Sequence, residues 1–132
     1  MAKFYILLFF IFIMGCLVAC LSTGKGTWVH VSKLLNYDEF DKIFLITNDF
    51  GNQNFNSSNS KVELIVINDN DDLEKIRDDI KFKLKGRLIG TEIAINLFSG
   101  SGKDHMALLS AVLQLGYGIR LYFSSDSGVK EL

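Results

Sequence analysis

The sequence predicts an α/β fold with a largely parallel sheet of about four or more strands. Compact β-branched apolar runs recur at residues 42–47, 62–67 and 119–123. Helical apolar spacing fills the stretches at 73–84 and 104–115, and glycine- or asparagine-rich breaks separate the segments. Alternation of this kind places ligands beyond the carboxyl ends of the strands.

Residues 4–21, FYILLFFIFIMGCLVACL, run for eighteen positions without a charge. As a helix this stretch would extend about 27 Å, close to a thin hydrocarbon layer. One N-terminal transmembrane helix within residues 1–21 is therefore expected, with membrane lipid around it. A secretory signal competes, because Lys3 precedes the apolar run and Leu17-Val18-Ala19-Cys20 has the look of a lipoprotein cleavage site. Signal cores usually hold only about 7–15 apolar residues, so the length favours a retained single-pass anchor in the cell membrane. The flanking lysines, Lys3 against Lys25 and Lys33, lean slightly towards a cytoplasmic C-terminal domain.

Both cysteines, Cys16 and Cys20, lie in that run. The remainder has no thiol for a disulfide, a metal or a nucleophile, which suits a reducing compartment. With His30 and His105 the only histidines, a histidine-rich metal site is not expected, and no cofactor is called for. Apart from Lys3, 13 basic residues stand against 15 acidic ones. Such a balance lacks the footprint of a DNA or RNA binder, so any bound nucleotide should be small.

Residues 22–27, STGKGT, read as a flexible joint, and residues 22–41 together as linker and stem. Residues 42–132 form the expected globular domain. Its first strand, 42–47, stops at Asn48-Asp49-Phe50-Gly51, and the Asn- and Ser-rich stretch 51–61 reads as a loop. The second strand, 62–67, leads through NDNDD to a helix whose Leu73, Ile76, Ile80 and Leu84 form one stripe. Residues 49–61 leave little room for a crossover helix, so the first two strands form either a long-looped hairpin or a parallel pair with an irregular crossover.

Gly86 ends that helix, and residues 91–98 make a third strand. The next helix, 104–115, is apolar almost all round, so it must be covered on more than one side, by the sheet and by another layer or subunit. Residues 119–123 supply a fourth strand.

The stretch NLFSGSGKDHMALL, residues 96–109, joins strand to helix through a small-residue loop. Gly100 and Gly102 permit close approach, Ser99 and Ser101 add hydroxyls, and Lys103 adds a charge at a helix start, where free amides attract anions. It is no Walker A loop, since Leu97 stands where the first glycine belongs and Asp104 follows the lysine. The plain alternative is that Ser101 and Asp104 merely cap the helix. His105 reads either as a base or ribose contact or proton carrier, or as a capping or packing residue. Asn48, Asp49 and Phe50 should reach the same crevice, where Asn48 would bond a base edge and Phe50 stack on it; an ordinary turn is the alternative.

With FDKIFLITND, VELIVINDNDDLEKIRDDI and GTEIAINLFSGSGKDHMALLSAVLQLGYGIRLYF together, residues 40–124 resemble the CARF domain, the CRISPR-associated Rossmann fold that senses cyclic oligoadenylates. A preceding hydrophobic anchor is similar to the membrane-attached effectors of that group. The resemblance implies a Rossmann-like sheet and a two-fold dimer or higher homo-oligomer. It also implies paired loops holding a cyclic oligoadenylate against Asn48, Asp49, Ser99, Gly100, Ser101, Gly102 and Lys103. The function it implies is that of a membrane-anchored sensor in antiviral defence that couples ligand binding to a membrane effect. A ring nuclease that cleaves the same ligand, and an exported lipoprotein with a non-catalytic domain, are the alternatives.

Overall fold

The computed structural model describes residues 15–132. Six strands form one sheet in the order β3-β2-β1-β4-β5-β6. The central strand β1, Gly15–Leu21, pairs in parallel with β2, Phe40–Thr47, on one side and with β4, Glu92–Asn96, on the other. Beyond β2 lies parallel β3, Val62–Val66; beyond β4 lie parallel β5, Gly118–Ser125, and antiparallel β6, Gly128–Glu131. The expected α/β, Rossmann-like sheet is present, with two strands more than the sequence indicated.

β1 corrects the membrane expectation for residues 15–21. A parallel strand at the middle of a sheet is buried on both faces and reads as an unbroken apolar run, which hydropathy cannot tell from the end of a membrane segment. Leu17, Val18 and Ala19 are fully buried between the two helical layers. Among the described residues no helix is long and apolar enough to cross a membrane. The rest of the anchor expectation, residues 1–14, lies outside the described residues.

Four helices cover the sheet. α1, Trp28–Leu35, buries Val31, Leu34 and Leu35 against Leu17, Ala19 and Leu45. On the opposite face α3, Leu73–Leu84, and α4, Gly102–Gln114, pack over Val18, Phe44, Ile93 and Ile95. The α3 bounds agree with the expected stripe, because Asp72 caps the helix by accepting the Lys75 N–H at 2.9 Å, and Gly86, at φ 75°, turns the chain away from its end.

The β2 to β3 connection is the parallel, irregular alternative. It includes α2, Asp49–Asn54, a short helix inside the stretch expected to be mostly loop. Gly51 fits there because a side chain would collide with the Thr47 hydroxyl. α4 is covered by the sheet and by α3, yet Met106 and Leu113 remain 62% and 57% exposed.

Candidate functional site

The strand order reverses between β1 and β4, since β2 follows β1 to one side while β4 and β5 build the other. Crossovers leaving such a point depart to opposite faces and leave the strand ends uncovered, which opens a crevice. Here a crevice of about 260 Å³ is lined by Leu21, Ser22, Thr23, Ile46, Thr47, Asn48, Ile67, Asp69, Gly100, Ser101 and Asp104.

Two of its walls come from the loop after β1, with Ser22 and Thr23, and the loop after β4, with Gly100 and Ser101; residues of β2 and of the segments that follow β2 and β3 add to it. Ser99 joins the two loops. Its side chain is buried, and its Oγ accepts the Ser22 N–H at 2.9 Å and the Thr27 hydroxyl at 2.7 Å while donating to Ser22 Oγ at 3.0 Å. The Ser22 carbonyl accepts the Trp28 indole N–H at 2.7 Å, so the loop is held from its other end as well. The joint expected at residues 22–27 is thus tied to the domain by hydrogen bonds, with Ser22 and Thr23 lining the crevice.

Of the residues expected in the site, Asn48, Gly100 and Ser101 line the crevice. Asn48 caps α2 through Gly51 N–H at 3.0 Å and donates to Asp69 Oδ2 at 2.8 Å. Gly100 has φ 101°, and a Cβ there would sit 2.9 Å from Cys20 Cβ, so only glycine fits. Ser101 and Asp104 form a full capping box at the start of α4. The capping alternative therefore holds, and it leaves Gly100 and Ser101 facing the crevice.

Lys103 is exposed, and its ammonium donates to the Asp69 carbonyl at 3.2 Å. His105 Nε2 meets the Ser99 carbonyl at 2.8 Å, a positioning contact for the loop. Asp49 and Gly102 are exposed and stand off the lining. Phe50 also lies off the lining, 37% exposed, with its ring 6.0 Å from that of Trp28.

Sequence reasoning missed Ser22, Thr23, Thr47, Asp69 and Lys25. Thr47 closes the floor by donating its hydroxyl to the Leu21 carbonyl at 2.9 Å. Lys25 lies over the Trp28 and Phe50 rings at 5.8 and 5.6 Å. A signal for this wall existed: Thr23-Gly24-Lys25 repeats the pattern of Ser101-Gly102-Lys103, each closely following an apolar strand.

Asp69 and Asp104 oppose an anion, whereas Lys25, Lys103 and the hydroxyls favour one. Below the floor, burial pushes the Cys20 thiol well above its ordinary range, with Asp104 adding to the shift, so this sulfur is no nucleophile. Among the described residues, no cluster of three or more His, Cys, Asp or Glu is placed to hold a metal ion. No protein-family profile matches the chain, and no curated protein is significantly similar to it.

Proposed function

We propose that the chain binds a small nucleotide in the crevice between the loops that follow β1 and β4, and that its task is sensing. The observation that carries this reading is the position of the crevice at the reversal of strand order, between two Ser/Thr-Gly-Lys loops tied by one buried hydroxyl. The hydroxyls of Ser22, Thr23 and Ser101, the positive end of α4, and the Lys103 ammonium bonded to the Asp69 carbonyl suit a phosphate bonded to a sugar. The ligand we assign is the one the sequence resemblance implies, a cyclic oligoadenylate, and with it a CRISPR-associated antiviral role.

A volume of about 260 Å³ is at the lower limit of small-ligand sites. A ring of several nucleotides exceeds it, so the proposal requires two copies of the chain to share one ring. The exposed Met106 and Leu113, with the half-buried Leu109 between them at helical spacing, form the stripe on α4 that we assign to the second copy. The proposal assigns His105 to positioning the loop, through the contact of its Nε2 with the Ser99 carbonyl.

Membrane attachment enters only through residues 1–14. With Gly15–Leu21 in the sheet, the anchor in the proposal is carried by the apolar residues that precede them, outside the described part of the chain.

Calorimetric titration of the full chain with cyclic oligoadenylates of several ring sizes tests the proposal. Micromolar binding at one ring per two chains, with the ring recovered intact by chromatography, is the expected result. No heat with any ring removes the reading, and cleaved product replaces the sensor with a ring nuclease.

A further inference from the structure

Phe98 is a large apolar side chain that is 53% exposed, directly before the buried Ser99 that ties the crevice walls. Its backbone is pinned on both sides. Asn96, 3% exposed, accepts the Phe98 N–H through Oδ1 at 3.2 Å and donates Nδ2 to the Tyr122 carbonyl at 2.8 Å. One residue further on, Ser99 is fixed by its contacts to Ser22 and Thr27.

The ring itself leans on His30, with centroids 4.2 Å apart and planes at 38°. His30 is steadied in turn, because its carbonyl accepts the Ser124 hydroxyl at 3.0 Å. Two buried polar side chains thus fix the backbone on either side of Phe98, and its ring rests on one imidazole at the surface. Core packing does not require this, since an exposed side chain contributes little to a core.

Resting on the nucleotide reading of the crevice, the geometry points to Phe98, backed by His30, as a stacking shelf for a planar base of the bound nucleotide. A ring rested on a second ring, on a backbone held at both sides, offers a flat apolar surface, and every nucleobase has a face to lay on it. Chain adjacency puts the shelf beside Gly100 and Ser101, so a sugar-phosphate in the crevice would carry its base outward over the wall. A second protein fits less well, because one ring supplies a small fraction of the roughly 1,200–2,000 Å² that a stable interface buries.

The test compares base-bearing probes, adenosine monophosphate and a cyclic oligoadenylate, with base-free ribose 5-phosphate, on the full chain and on Phe98→Leu and Phe98→Trp. The expected result is that Phe98→Leu weakens the base-bearing probes about tenfold, that Phe98→Trp restores them, and that ribose 5-phosphate is indifferent to both changes. Nuclear Overhauser contacts between Phe98 ring protons and adenine protons provide a readout that a structural role would not produce. Equal losses for all probes, or no loss for any, overturn the shelf while leaving the crevice reading intact. Failure of every probe to bind the unaltered chain overturns both.

Discussion

The Oγ of Ser99 accepts the backbone N–H of Ser22 across 77 positions of sequence, and this bond joins the two loops that wall the crevice. Ser99→Ala removes the acceptor and leaves the part-buried Ser22 amide without this partner. The expected cost is about 1–3 kcal/mol, read as a lower urea midpoint with an unchanged slope. Ligand affinity should fall as well, because the walls would no longer hold a fixed spacing.

Gly100→Ala meets two obstacles: a left-handed backbone at φ 101° and a contact 2.9 Å from Cys20 Cβ. We expect a loss of roughly 1–3 kcal/mol from the backbone alone. Thermal unfolding measures it, and a midpoint equal to that of the unaltered chain would place Gly100 elsewhere.

Removal of residues 1–14 leaves β1 intact, whereas removal of residues 1–21 takes the strand that both β2 and β4 pair with. Chain 15–132 should give a dispersed amide spectrum and a cooperative melt; chain 22–132 should give neither. Cleavage before Cys20 would remove most of β1 in the same way. A folded 22–132 fragment would show that β1 is dispensable.

Opposite signs are expected from the charges around the crevice. Lys25→Ala and Lys103→Ala should each weaken a phosphate-bearing ligand several-fold, with a shallower salt dependence. Asp69→Asn keeps an oxygen for the Asn48 amide at the place of a 2.8 Å bond and removes a negative charge, so it should tighten binding. Titrations at two salt concentrations check all three.

Hydrogen bonding to the Arg120 guanidinium holds the Glu92 carboxyl below its ordinary range, against a smaller desolvation effect. The stabilisation is complete above the unfolded value, near about 4.3, and is lost as pH falls through the depressed folded value. Glu92→Gln should flatten that part of the acid limb of a stability profile. The effect is small, because both partners are exposed.

Much of the fold was legible because it rests on local pattern. Leu73, Ile76, Ile80 and Leu84 mark α3 by spacing alone, and the apolar runs at β2 and β3 stand out between polar breaks. The short β6 was not legible, because Gly128–Glu131 has little apolar content and owes its strand to pairing with β5. Within the site, Gly100 and Ser101 were readable from glycine placement and capping chemistry. Asp69 and Thr47 were not, since what brings them to the crevice is the parallel pairing of β2 with β1 and β3.

The sequence by itself determined an α/β domain with a strand–loop–helix unit around residues 92–114. Only the tertiary structure decided that Gly15–Leu21 lies at the centre of the sheet and that Ser22 and Thr23 line the crevice. The reason is physical: hydropathy records that a run avoids water, while strand pairing across distant parts of the chain determines what surrounds it instead.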